Sequence, residues 1–563
     1  MKNPSKTAGW IVFIVLAVYY FVNRHPGLAF IDSGELALCA DVFGVPHPTG
    51  YPLYLILSVP ATFFYTRPIV AVTILSGVIM AFAGMAFFYF MEDIRRLLSD
   101  NHPQSFIVAM AMTFALFLAP VVAEQGTTNE VYGLAFLIGL LILFAMFRTL
   151  TAEDTRGREQ YLILVWYLQG LAMCDHMNAI QFLPALAILT VVHLRRQFSW
   201  KTIAAIIPAF VIPLTLYAVL PIRASATPPP VANWGDVVTW PNFYRHVSGW
   251  QFKVWLFSEG PGQLWINAKN FLSILWHQYP WPVFLLLPFG VVAVFRKSAL
   301  FGVILTVTMT ANIILGINYT IPDIDSYYLQ TIATIMLFVF AGLIWLGSLI
   351  RARYIIPAFA VLLLAWQAIA VWQANYKGDY TLPEDYARNI MHSADYGAVV
   401  VSEIWDHQDQ AFYLQQAEYN RPDLKFIDKE LLRRSWYYGT IKRVYPTLYA
   451  QIADLLPRFL LELAKFESGE KFDPQKLEFY YQSIINRLLT KAGTSYIDYH
   501  LDYRPMSNQY LRPQGLLFRV DTIAINTPLP QPKLIWNGRP LDKYTDWRAR
   551  ENLSMVEKML GKL

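Results

Sequence analysis

The sequence predicts a mainly α-helical, polytopic membrane protein of about eleven transmembrane helices, with a small α/β domain at its C-terminus. Three observations carry this. Of the 563 residues, 55% are hydrophobic and only 15% charged, a balance that soluble domains of this size rarely show. Eleven apolar runs approach the roughly 20 residues that a helix needs to cross a bilayer. Beyond about residue 377 these runs stop, and short β-type segments alternate with amphipathic ones.

The runs lie at 8–23, 69–90, 104–123, 130–149, 160–175, 178–194, 203–221, 279–296, 299–317, 327–349 and 354–372. Residues 8–23 read as an uncleaved first span, because no small-residue cleavage site follows them. Segment 51–65 is apolar but short, and Pro52 and Pro60 interrupt it. If it does not span, then Lys2, Lys6, Arg95, Arg96, Arg148, Arg156, Arg158, Arg195, Arg196, Lys201, Arg296, Lys297, Arg351 and Arg353 all fall on one side. The short loops 124–129, 176–177 and 318–326 on the other side carry no Lys or Arg. The positive-inside rule therefore lays 51–65 flat in the outer interface and puts the N-terminus inside and the C-terminus outside. Two outer loops are long, 24–68 and 222–278, and the second is rich in Pro and Trp. The expected division is a transmembrane catalytic domain over 1–376 and an extracytoplasmic α/β domain over 377–563. Within the latter, Val399–Val401, Leu424–Ile427 and Gly515–Val520 read as strands, and Asp409–Gln416, 444–466 and 474–491 as helices. The two cysteines, Cys39 and Cys174, read as free buried thiols rather than a bridge.

Ionisable groups at membrane depth are costly, so those at span ends are functional candidates. Asp32 and Glu35, three residues apart, share a face of a helical turn. That spacing suits a general base with a second acid, and equally a capping box in which Asp32 caps and Glu35 reaches back. His47 lies in a loop stiffened by prolines and a glycine, where it suits a phosphate or a sugar hydroxyl, or simply a rigid turn. Glu124, Glu130 and Tyr132 mark the mouth of the third and fourth spans. Asp175 and His176 sit at the tip of a hairpin. Arg223 ends the seventh span and suits bidentate phosphate binding as well as interfacial anchoring. Asp323 and Asp325 precede the tenth span. All fall on the expected outer side. Among 563 residues there is no Gly-rich phosphate loop, zincin helix, Cys/His metal spacing or nucleic-acid signature, which argues against a nucleotide-dependent soluble site.

Asp32-Ser33-Gly34-Glu35, followed by His47-Pro48-Thr49-Gly50-Tyr51-Pro52-Leu53, resembles the first-loop signature of GT-C glycosyltransferases. It is most similar to a family, long filed as a domain of unknown function, that includes a eukaryotic endoplasmic-reticulum protein O-mannosyltransferase and many bacterial members. Asn129-Glu130-Val131-Tyr132, His176-Met177-Asn178, Leu220-Pro221-Ile222-Arg223, Asn233-Trp234-Gly235, Asp323-Ile324-Asp325 and Arg421-Pro422-Asp423 extend the resemblance over most of the chain. The resemblance implies a GT-C fold, a polyprenyl-phosphate-linked sugar donor and Asp32 as the base. Thr49 stands where a proline is common after the histidine, a departure that bears on loop shape.

The expectation is thus a membrane glycosyltransferase of the bacterial inner membrane that works on its outer face, with inversion. It moves a sugar, mannose, from the polyprenyl phosphate to an acceptor hydroxyl on an exported protein or glycan. Asp32 and Glu35 are the expected catalytic residues, and His47, Glu130, Tyr132, His176, Arg223 and Asp325 the binding ones. No cofactor is required, although Glu35 and Glu130 suit a divalent cation, and nucleic acid is no partner. A transferase acting on lipid A or surface polysaccharide, and a flippase without a base, are the alternatives. Repeated halves, which a flippase or transporter would favour, are absent from the sequence.

Overall fold

The computed structural model describes residues 4–98, 105–350, 354–498 and 510–561. Lys2, Arg351, Arg353 and parts of the predicted C-terminal domain (499–509 and 562–563) lie outside the described residues. Each of the eleven apolar runs falls on a helix. Eight are long and apolar enough to cross a membrane, and a ninth is the pair Ser105–Leu118 and Pro120–Thr127, bent by 73°. The bend falls where Pro120 begins the second helix, since its ring removes a backbone donor and clashes with the preceding turn. Two expected spans fall short of those limits. Helix Pro282–Lys297 has 16 residues, and helix Thr155–Met173 carries polar residues through its first turns. The chain is a multi-pass membrane protein, with eight helices that meet those limits and one bent pair among the described residues.

The first helix, Pro4–Asn23, shows why a membrane is the solvent. Val12, Leu16 and Tyr20 recur every four residues and are buried against the bundle. On the opposite face Ile14, Val18 and Val22 are apolar and exposed. A helix that is hydrophobic all round belongs inside a large core or a bilayer. Close packing elsewhere depends on small residues. A Cβ on Gly342 would stand 2.6 Å from the Leu286 carbonyl, so helices Pro282–Lys297 and Leu329–Ile350 meet at their backbones, as small residues permit between spans.

Helix Pro52–Thr62 has 11 residues, about 16 Å of rise, which is too short for a bilayer core of roughly 30 Å. Phe63, Phe64 and Tyr65 just beyond it are exposed, as aromatics at a headgroup surface would be. At the other end of the bundle the basic loops meet. Asp93 bonds both Arg96 (2.6 Å) and Arg148 (2.8 Å). Tyr132, at the start of the helix that ends near Arg148, therefore lies about 24 Å from that basic face.

The C-terminal region carries one five-stranded sheet with strands β1 (Val399–Ser402), β2 (Lys425–Asp428), β3 (Ser495–Asp498), β4 (Tyr510–Gln514) and β5 (Leu517–Asp521). The order is β2-β1-β3-β5-β4, with the first three parallel and the last three antiparallel. The expected helix 444–466 is two helices, Pro446–Ile452 and Leu456–Ser468, because Pro457 starts a new one. This region shares a hydrophobic cluster with segment 24–69, in which Leu38, Leu55 and Ile69 meet Ile390, Tyr413 and Leu414. Arg67 ties the loop to Glu384 (2.9 Å) and Glu418 (2.8 Å). Cys39 and Cys174 are free and buried.

A close joint between the C-terminal region and the first loop is made by helix Ser33–Val42 and helix Trp405–Gln416. A Cβ on Gly34 would lie 2.6 Å from the Asp409 carbonyl oxygen. Gly34→Ala gains about 1 kcal/mol of helix propensity but must push two backbones apart, which costs about 1–3 kcal/mol. The expected outcome is a lower melting temperature in detergent, followed by tryptophan fluorescence. An unchanged or raised value would show that the joint yields freely.

Candidate active site

Asp32 precedes the Ser33–Val42 helix but makes no side-chain cap. Glu35 does not reach back to it. Instead the Glu35 carboxylate accepts from the His47 backbone N–H at 2.7 Å and from its ring Nδ1 at 2.5 Å. The capping-box alternative is therefore not what forms here. His47 Nε2 lies 2.7 Å from the Tyr51 hydroxyl and 3.6 Å from the Asp32 carboxylate, and the Tyr51 hydroxyl in turn donates to the Pro48 carbonyl at 3.2 Å. The ring thus meets a carboxylate on one nitrogen and a hydroxyl on the other, an arrangement that an imidazolium satisfies with both nitrogens as donors.

The electrostatics agree. Burial works against the charge on His47, but the carboxylates of Glu35 and Asp32, the Glu35 hydrogen bond and Asp409 outweigh it and lift the imidazole to about 10. Burial also lifts Asp32. The His47 charge opposes this, Glu35 and Asp323 add to it, and the carboxyl comes to about 7. That is where a general base works best at neutral pH. His176 behaves in the opposite way. Burial and the nearby His47 charge push it down to about 3, so it stays neutral and accepts from the Asn178 backbone N–H at 3.1 Å. Its ring lies parallel to Tyr51 at 5.9 Å and near Tyr132 at 5.0 Å.

Beside this cluster opens a cavity of about 320 Å³. Ile31, the residue before Asp32, lines it together with Glu124, Glu130, Tyr132, Asp323 and Asp325. The Tyr132 hydroxyl donates to Asp323 at 2.6 Å. Burial, with Asp32 and Asp323 close by, pushes the Glu130 carboxyl well up. The cavity also receives side chains that the sequence did not announce. They are Lys377 from the segment after the last span, and Arg539 and Arg548 from the C-terminal region. Arg539 is paired with Asp379, and Arg548 bonds Asp406 at 2.5 Å.

Arg223 is the expected residue that the structure does not bring here. Its Nε donates to the Phe43 carbonyl at 2.8 Å and its Nη2 to the Val42 carbonyl at 3.4 Å, and its guanidinium lies over the Phe43 ring at 4.7 Å. It serves the end of the Ser33–Val42 helix, where free carbonyls and the negative pole of the dipole attract a cation. Arg223 is thus not among the residues that line the cavity.

The backbone at Asp32 is held from two directions. Ile31 adopts φ +60°, a costly conformation for a β-branched residue. Its N–H donates to Asp406 Oδ1 at 3.3 Å, and its carbonyl accepts from Gln410 Nε2 at 2.9 Å. The same amide bonds the Ala29 carbonyl at 2.8 Å. From the bundle side, Ser33 donates to Asn129 Oδ1 at 2.6 Å and Asn129 returns a bond to the Ser33 carbonyl at 2.9 Å. Asp406 and Gln410 lie on a polar helix that is nonetheless buried. Its lack of an apolar face was the one sequence signal that could have marked them. As for a metal, one ligand atom each from Asp32, Glu35 and His47 falls within 4.8 Å of the others. Glu130 is outside that group.

Fold and site together define a multi-pass membrane protein whose carboxylate–histidine centre is roofed by a small α/β unit. Comparison with known proteins places that description. Residues 32–199 match the family model "Protein O-mannosyl-transferase TMEM260 N-terminal domain", which bears out the resemblance read from the first loop. The mouse protein O-mannosyl-transferase TMEM260 is 22% identical over 480 residues, 78% of this chain and 65% of its own length. The chain thus spans just under two thirds of that relative. The Dictyostelium discoideum protein of the same name is 35% identical over 57 residues, 10% of this chain and 7% of its own. Among solved structures, ArnT from Cupriavidus metallidurans bound to undecaprenyl phosphate superposes with a TM-score of 0.47 at 14% identity, covering 93% of this chain and 99% of its own.

Two outcomes follow from the geometry. Gln410→Ala strips both carbonyls of their partner and should destabilise by about 1–3 kcal/mol, read as a drop in melting temperature. An unchanged melt would show that Ile31 needs no clamp. The pH dependence has a definite sign. His47 is raised in the folded state from 6.5 to about 10, so its contribution is complete below pH 6.5, shrinks as pH rises and is gone above about 10. The gap in melting temperature between wild type and His47→Gln should close along that course, and a gap that widens with pH would contradict the charged pair.

Proposed function

We propose that the chain is an inverting membrane glycosyltransferase that moves a sugar, mannose, from a polyprenyl phosphate to a hydroxyl of an exported protein. The observation that carries this is Asp32, a carboxyl lifted to about 7 and next in the chain to Ile31, which lines a cavity that also holds cationic side chains. The printed name of the mouse relative supports the transfer of mannose to protein, and the first-loop residues support a polyprenyl-phosphate donor. The grouping of basic residues away from the site supports an outward-facing centre in a bacterial inner membrane, with the N-terminus inside and the C-terminal region outside.

In this reading the acceptor hydroxyl gives its proton to Asp32 while its oxygen attacks the anomeric carbon. The bond from that carbon to the phosphate oxygen breaks with its electron pair, and the polyprenyl phosphate leaves from the opposite face. Lys377 and Arg548, rather than Arg223, oppose the charge that builds on the phosphate. Glu130, Tyr132, His176 and Asp325 offer hydrogen bonds to the sugar and acceptor. The Glu35–His47 pair fixes Asp32 and modulates its basicity. The step needs no cofactor, since the Lys377 and Arg548 charges serve a monophosphate leaving group. Asp32, Glu35 and His47 remain able to take a divalent ion once His47 gives up a proton.

Asp32→Asn tests the base. Asp32 makes no cap and Asn keeps its shape, so the variant should fold and bind a synthetic polyprenyl-phosphate mannose. Transfer to acceptor protein should fall at least ~100-fold, the lower end for loss of a general base. Near-normal transfer would reject the mechanism and pass the role to another acid of the site.

A further inference from the structure

We propose that the chain carries a second site, distinct from the cavity beside Asp32, that binds a neutral hexopyranose between the Asn233–Trp234 loop and the C-terminal unit. The cleft is lined by Asn233, Trp234, Asp409, Asp428 and Trp436, with Glu35 at one end. Its backbone is fixed rather than loose. Val45 donates to the Ala232 carbonyl at 2.9 Å, and Trp234 donates back to the Val45 carbonyl at 3.0 Å. Within this frame Asn233 is 4% exposed, yet neither its Oδ1 nor its Nδ2 has a hydrogen-bond partner, and Asp409 Oδ2 also lacks one. A buried, fully unpaired amide costs about 1–3 kcal/mol and calls for a partner, whether water, ion or ligand.

The chemistry of the lining selects the ligand class. The Trp234 and Trp436 rings lie 5.3 Å apart and tilted by 44°, offering apolar planes to the C–H faces of a ring. Among the described residues no Lys, Arg or His lines the cleft, so an anion such as a phosphate finds no counter-charge among them. A cation would suit the indoles and carboxylates, but it has nothing to accept from Asn233 Nδ2. Adjacent hydroxyls both donate and accept, and so can satisfy the amide and Asp409 together. The inference does not depend on the transfer reaction. An occupied cleft touches that site through Glu35, through Asp409 and through Trp234, whose ring lies 6.2 Å from that of His47.

The test uses the full chain in detergent and two probes, methyl α-mannopyranoside and tetramethylammonium, with binding read by saturation-transfer NMR and tryptophan fluorescence. The hexoside should bind and the ammonium should not. Asn233→Ala should weaken hexoside binding about ten-fold, the share of one buried pairing, while leaving the melting temperature equal or higher, since it removes an unpaired amide. Trp436→Ala, at a half-exposed position, should weaken binding without unfolding the chain. Hexoside binding that is untouched by both variants would place the ligand elsewhere and overturn the proposal. So would binding of the ammonium alone, or no binding of either probe to wild type. Failure here would leave the Asp32 mechanism standing, and an inactive Asp32→Asn would leave this cleft intact.

Discussion

Burying a carboxylate, an imidazole and a second carboxylate beside a membrane carries a large desolvation cost, and the site depends on how that cost is met. Glu35 answers His47 with two hydrogen bonds, at 2.5 and 2.7 Å, so the ion pair is satisfied on its inner side. Asp32 stands 3.6 Å off on the other side, close enough to feel the charge and too far to be bonded by it. One oxygen of Asp32 has no partner. A charge-paired neighbour and an unpaired carboxyl together make a group that is held in place but still free to take a proton. If Glu35 faced away, His47 would lose its charge to burial and Asp32 its counterweight.

The second constraint lies outside the bundle. Ile31 is held in a left-handed conformation by bonds from Asp406 and Gln410, residues more than 370 positions away in sequence. Asp406 also gathers Arg548 and Asn552 from the last helix, at 2.5 and 2.8 Å. The C-terminal unit therefore works as part of the site. It shapes the loop that carries Asp32 and brings a cation to the cavity. Gly34 makes this approach possible, since any side chain there would meet the Asp409 carbonyl.

What the sequence could reveal followed from range. Asp32, Glu35 and His47 lie within sixteen residues of one another in a loop stiffened by Pro46, Pro48 and Pro52, so local spacing already grouped them. Glu130, Tyr132, His176 and Asp325 end or begin apolar runs, and charge alternation put them at one end of the bundle. Arg223 shared that end, but its direction depended on the free carbonyls of a neighbouring helix, which no pattern in its own segment records. Asp406, Gln410 and Arg548 reach the site through long-range packing and leave no periodic trace. The strands split the same way. Val399–Ser402 is an apolar run and was legible, whereas β4 contains Pro513, which marks an edge strand and hides it from propensity. The Pro446–Ile452 and Leu456–Ser468 pair read as one helix because its apolar spacing continues across the break at Pro457.

The central claim is that the acids beside Asp32 face a lipid phosphate held by cations from the C-terminal half of the chain. A cryo-EM map of the full chain with a polyprenyl phosphate tests it most directly. The account predicts phosphate density inside the cavity lined by Ile31, Glu130 and Asp323, within hydrogen-bond reach of Lys377 or Arg548. Phosphate density against Arg223, with that cavity empty, would contradict it.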